Sequence, residues 1–135
     1  MRPLAADAVI IKNKKILLIK RGREPFKGMW ALPGGLLEEN ETIEQCAKRE
    51  AKEETSLNVK PEKLIGVYSD TSRDPRKVVS VAFICGIESG EEKAGDDASD
   101  TEWFDIEKIP ELAADHNKII KDALKLISPP SSLQP

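Results

Sequence analysis

Apolar residues gather in short, nearly continuous runs at residues 4–11, LAADAVII, and 15–19, KILLI. The polar Lys12-Asn13-Lys14 between them reads as the turn of a hairpin. Runs with so little alternation predict strands covered on both faces, and therefore central in a sheet. A second pair of strands is predicted at residues 63–69, KLIGVYS, and 78–85, VVSVAFIC. Trp30-Ala31-Leu32-Pro33 predicts a short strand entering a Gly34-Gly35 turn, with Trp30 as core packing. Thr101-Glu102-Trp103-Phe104 predicts another strand, followed by a turn from Asp105 to Pro110.

Elsewhere the period lengthens from two to three or four. Ile43, Cys46, Ala47 and Ala51 recur at the spacing that puts them on one helical face, and Thr42 ahead of them is a suitable N-cap, so a helix is predicted from Thr42 to Thr55. A terminal helix is predicted to begin at Ile109-Pro110-Glu111-Leu112 and to present Ala113, His116, Ile119, Ile120, Ala123, Leu124 and Ile127 to the sheet. His116, the only histidine, is expected to be structural. Strands, helix, strands and helix in this order predict an α/β fold with a mixed sheet between helices.

Charges placed on the first helix at about 100° per residue break its amphipathic pattern. Relative to Ile43, Glu50 falls at roughly −20° and Glu54 at roughly +20°, inside the apolar stripe, with Glu53 at about −80° on its flank. Gln45, Lys48, Arg49 and Lys52 occupy the opposite arc, as a solvated face would. Glu50 and Glu54 are like charges one turn apart, which costs a few tenths of a kcal/mol. Glu53 and Glu54 also sit in the last turn, where the helix dipole disfavours anions by roughly 0.3–1 kcal/mol each. A divalent cation reverses both penalties, and a set of oxygen donors alone suits Mg²⁺ or Mn²⁺ rather than zinc.

Length and charge narrow the function classes. At 135 residues and 14.9 kDa the chain is expected to form one domain over residues 1–127, with a disordered Pro/Ser-rich tail at 128–135. A net charge of −3 gives no basic footprint, so nucleic acid is not the expected partner. Cys46 and Cys85 read as small buried hydrophobes of a reducing compartment. No run reaches the length of a membrane span and the N-terminus lacks a signal-type apolar core, so a cytoplasmic protein is expected.

Three loops carry charge. The segment 20–29, KRGREPFKGM, leads directly toward the acidic helix, and Lys20, Arg21 or Arg23 is placed to meet a phosphate. The turn-rich segment 70–77, DTSRDPRK, holds Arg73, Arg76 and Lys77. Residues 88–100, ESGEEKAGDDASD, are acidic without apolar periodicity and predict a mobile loop.

The spacing of Gly35, five residues, Glu41, seven residues, Arg49-Glu50-Ala51-Lys52-Glu53-Glu54, one residue and Ser56-Leu57, after Trp30-Ala31-Leu32-Pro33-Gly34, resembles the Nudix box of the Nudix hydrolases. Ala51 stands where a bulky aliphatic is usual and Ser56 where a glycine follows the helix. The resemblance covers nearly the whole chain and implies the Nudix α/β/α sandwich. It implies metal ligands at Glu50, Glu53, Glu54 and the Gly34 carbonyl, and a salt bridge between Glu41 and Arg49 that orients the turn. Glu53, Glu50, Glu54 and Arg49 form the implied catalytic set, with the base either Glu53 or an acid among Glu91, Glu92, Asp96 and Asp97. VYSDTSRDPRKVVSVAFIC is similar to a segment of the ADP-ribose pyrophosphatases of that group, with Lys77-Val78 in place of a Gly-His. Arg73 and Arg76 are the substrate-binding cations this similarity implies, and Arg21 of the basic loop is expected to join them. The expected substrate is a nucleoside diphosphate linked to another moiety, ADP-ribose first, giving AMP and ribose 5-phosphate. A nucleoside-triphosphate pyrophosphatase acting on substrates such as 8-oxo-dGTP and a non-catalytic nucleotide sensor are the alternatives, and a homodimer stays open.

Overall fold

The computed structural model describes residues 1–95 and 98–127; the 128–135 tail, expected to be disordered, lies outside them, as do Asp96 and Asp97. The described elements are β1 (Leu4–Lys12), β2 (Lys15–Arg21), β3 (Trp30–Ala31), β4 (Gly34–Leu36), α1 (Ile43–Thr55), β5 (Asn58–Tyr68), β6 (Val79–Ser89), β7 (Ala98–Asp105) and α2 (His116–Ile127). No helix among the described residues is long and apolar enough to cross a membrane.

β1 is the hub of a mixed sheet ordered β3-β2-β1-β6-β5, with β4 also paired to β1 and β7 to β2. It leaves through a two-residue turn, Asn13-Lys14, whose positive φ angles of 53° and 62° fit the hairpin to β2. β6 lies parallel to it, from Leu4↔Val79 to Ile10↔Cys85, while β4 runs antiparallel with Asp7 opposite Gly34. Alternation along β1 divides the core. Ala6, Ala8 and Ile10 pack with Leu17 against Cys46, Ala47 and Ala51 of α1, whereas Val9 packs with Ile16 and Leu18 against Ile119, Ile120 and Ala123 of α2. Both faces of the two apolar strands are covered, as their continuous patterning predicts. Trp30 packs edge-on against Phe104 with ring centroids 5.0 Å apart, which is its expected core role.

Several boundaries differ from the sequence reading. β5 begins at Asn58 rather than Lys63, because Pro61 is tolerated on an edge strand where the register shifts between Pro61 and Lys63. Gly34-Gly35 is not a turn but the start of β4, and Lys20 and Arg21 belong to β2 rather than to the basic loop. α2 starts at His116 instead of Ile109, since Leu112 bridges Trp30, Ala114 takes a φ of 51°, and the Asn117 side chain ties back to Leu112 and Pro110. The acidic 88–100 segment contains the end of β6 and the start of β7. Between them the Lys93 and Gly95 amides donate to the Thr55 and Glu54 carbonyls, so residues 93–95 cap the end of α1 where a mobile loop was expected.

Candidate active site

An open cavity of about 400 Å³ lies at the end of the sheet where β1 is flanked by β4 and β6. One wall is α1. A full capping box fixes the start of that helix, with the Thr42 hydroxyl accepting from the Gln45 amide and Gln45 accepting from the Thr42 amide. The helix end is fixed by Ser56 in the left-handed region, φ 69°. Between these caps Glu50, Glu53 and Glu54 line the cavity with Gly34 and Gly35.

The glycines are needed because carboxylates occupy the space beside them. A Cβ on Gly35 would fall on the Glu50 carboxylate, and one on Gly34 would meet the Asp7 carboxylate and the Ala6 carbonyl. Glu54 is buried and accepts from the Gly34 amide at 2.8 Å. Burial nevertheless pushes its pKa up to about 8, helped by Glu50 and Asp7. Burial also raises Glu50 to about 7, followed by its contact with Glu53.

Arg49 organises this wall. Its Nε and Nη2 donate to the two oxygens of Glu41 at 2.9 and 2.7 Å, its Nη1 to Glu53 at 3.0 Å, and Nη2 also to the Leu36 carbonyl. The fork from Arg49 holds Glu41 down at about 2 and raises the Arg49 pKa in turn. This is the expected Glu41–Arg49 bridge joining loop to helix.

The donor set fits a hard divalent cation. It consists of oxygens, it includes two carboxylates that burial and mutual repulsion hold toward the neutral form, and the Asp7 Oδ2 nearby is buried with no hydrogen-bond partner. Among the described residues no three His, Cys, Asp or Glu side chains already form a closed ligand group. The carboxylates stand along one wall, with Glu53 held by Arg49 and Glu54 by Gly34.

Cations line the cavity as well. Arg21 sits at a register shift near the end of β2, its Nε donating to the Pro25 carbonyl at 2.6 Å. Arg23 and Arg76 also line the cavity; Lys20 does not. Arg73 lines it too, but its guanidinium is committed elsewhere. Nε and Nη2 grip Asp115, Nη2 at 2.7 Å, and Nη1 donates to the Val78 carbonyl at 3.0 Å. Arg73 is therefore a buried latch between the 70–78 loop and the start of α2, and the donors expected to meet substrate are engaged within the protein. Of the alternative bases, Glu91 and Glu92 lie outside the cavity lining, and Glu92 instead accepts from the Thr101 hydroxyl.

Asp7 and His116 complete the floor. His116 Nδ1 accepts from the Leu32 amide at 3.0 Å, which leaves Nε2 facing Asp7 Oδ2 at 3.8 Å. Burial lowers the His116 pKa, against the pull of Asp7, so the ring is neutral. His116, expected to be structural, ties the start of α2 to the Leu32 amide and also lines the cavity. Asp7 was missed by sequence reasoning; its signal is a lone carboxylate inside a run covered on both faces.

A model of the NUDIX domain matches residues 1–123. The chain belongs to the Nudix family. It is 54% identical over 123 residues to an ADP-ribose pyrophosphatase of Methanocaldococcus jannaschii, across 90% of this chain and 73% of that one. It is 33% identical to a MutT-like protein of Streptomyces ambofaciens, across 82% of this chain and 68% of that one. Among solved structures, a bifunctional NMN adenylyltransferase/ADP ribose pyrophosphatase of Francisella tularensis complexed with AMP and a manganese ion superimposes with a TM-score of 0.84 at 31% identity. That match covers 93% of this chain, which spans only 42% of the longer protein. The NUDIX domain of Shewanella oneidensis NrtR complexed with ADP ribose gives a TM-score of 0.81 at 28% identity, across 94% of this chain and 89% of that one. This Nudix hydrolase thus has the α/β/α sandwich implied by its box.

Proposed function

We propose that this Nudix hydrolase cleaves the diphosphate of ADP-ribose to AMP and ribose 5-phosphate. The 54% identity to an ADP-ribose pyrophosphatase carries the substrate, and a cavity lined by Glu50, Glu53 and Glu54 together with Arg21 and Arg76 supports the chemistry. Glu50, Glu53, Glu54 and the Gly34 carbonyl would hold Mg²⁺ or Mn²⁺. When bound, the metal neutralises diphosphate charge and acidifies a water.

The protein's own groups do the rest. Glu53, 39% exposed at its side chain, is the carboxylate able to take the proton of the attacking water, and Arg49 holds it in place at 3.0 Å. Arg21 and Arg76 orient the phosphate oxygens. Glu41 acts through Arg49, and Asp7 and His116 close the floor. The buried, unpaired Cys46 and Cys85 fit the reducing cytoplasm.

Product analysis tests this directly. ADP-ribose incubated with Mg²⁺ should give AMP and ribose 5-phosphate in equal amounts, and Glu53→Gln should lower kcat by about a hundredfold or more. A Glu53→Gln enzyme keeping half its turnover would remove Glu53 from the chemistry, and products other than these two would refute the assigned bond.

A further inference from the structure

Arg76 does not face the cavity unaided. Asp74, with 4% of its surface exposed, accepts from the Arg76 backbone amide at 2.7 Å, from its Nε at 3.1 Å and from Nη2 at 2.9 Å. The Arg76 side chain keeps 42% exposure on the cavity wall. Arg21 lines the same cavity; burial and then the Arg76 charge lower its pKa, against the opposing pull of Glu54, Asp74 and Asp7.

The loop that presents Arg76 is fixed from several sides. Arg73 is gripped by Asp115 and closes on the Val78 carbonyl. The Lys77 amide donates to the Asp74 carbonyl, with Lys77 in the left-handed region at φ 60°. From the start of the chain, Arg2 donates to the Ser69 carbonyl at 2.6 Å and to the Lys77 carbonyl at 3.0 Å. A long side chain with large rotamer freedom is thereby held in one orientation before any ligand arrives.

We propose that Asp74 is a positioning residue for substrate binding: it holds the Arg76 guanidinium in one orientation in the cavity that Arg21 also lines, so that the oxygens of a diphosphate meet a preoriented cation. The identity of the substrate rests on the reading given above; the anion site is testable without it.

The test is a double-mutant cycle on the full-length, Mg²⁺-loaded enzyme with Asp74→Asn, Arg76→Ala and the pair. Two readouts are used: KM and kcat with ADP-ribose, and the dissociation constant of inorganic pyrophosphate by calorimetry. Asp74→Asn should raise KM and the pyrophosphate constant together by about tenfold, the scale of a charge-assisted contact, while kcat changes less than about threefold. In the Arg76→Ala background the same change should add less than about twofold, because the two residues act as one unit. Arg76→Lys, which keeps the charge but loses the fork that Asp74 grips, should reproduce the Asp74→Asn shift in a chain whose Asp74 is intact. Full additivity, an unchanged pyrophosphate constant in Asp74→Asn, or wild-type binding by Arg76→Lys would each overturn the assignment. If the wild type leaves ADP-ribose intact, the substrate reading fails, and the pyrophosphate cycle still decides the role of Asp74.

Discussion

Ser56 ends α1 in a conformation that favours glycine, with φ 69° and ψ 6°. A side chain there costs roughly 1 kcal/mol relative to glycine. The hydroxyl recovers part of this by donating to the exposed Lys93 carbonyl at 3.1 Å. Ser56→Gly should therefore stabilise the protein, by no more than about 1 kcal/mol, in urea unfolding monitored by circular dichroism. A lower unfolding midpoint would mean that the bond to Lys93 outweighs the backbone strain. Arg73 makes the opposite case. Its side chain is 3% exposed and its partner Asp115 is 22% exposed, so Arg73→Ala leaves a partly buried carboxylate unpaired and should cost on the order of 3–5 kcal/mol of stability. An Arg73→Ala protein of unchanged stability but weakened substrate affinity would restore the direct contact expected from sequence.

The helix α1 concentrates its chemistry on the face that its apolar residues also use. In the metal-free protein Glu54 is held up at about 8 and Glu50 at about 7, both above the ordinary 4.5. Folding thus favours their protonated forms: the contribution is fully present below pH 4.5 and is lost as pH rises through 7 and 8. His116, neutral and buried, works the other way and matters only below its ordinary 6.5. Between pH 6.5 and 9 the metal-free protein should melt at progressively lower temperature, Glu54→Gln should flatten that slope, and Mn²⁺ should raise the melting temperature most at the alkaline end. A slope unchanged in Glu54→Gln would show that Glu54 ionises freely in the fold. The helical spacing makes this legible, because two glutamates inside an apolar stripe contradict a solvated helix. The room that Gly35 and Gly34 leave for Glu50 and Asp7 was not legible, since those contacts cross from α1 and β1 to β4.

In the whole molecule, the parallel pairing of β1 with β6 brings the loop before β6 to the same sheet end as β4 and α1. The two apolar strands, the box helix and the charged loops were each legible from local pattern, and the resemblance supplied the sandwich. The meeting of Arg76 and Arg21 in one cavity lining, the contact of Asp7 with His116 and the latch from Arg73 to Asp115 depend on strand order. No local periodicity encodes that order. The late start of α2 was hidden for a similar reason: Leu112 suits a helix by composition but bridges Trp30 instead. The proposed substrate choice is tested at this scale. The most direct measurement is kcat/KM of the wild-type enzyme for ADP-ribose, dGTP and 8-oxo-dGTP at one Mg²⁺ concentration. ADP-ribose should exceed both triphosphates by about tenfold or more; a higher value for either triphosphate would contradict the assignment and make this a nucleoside-triphosphate pyrophosphatase.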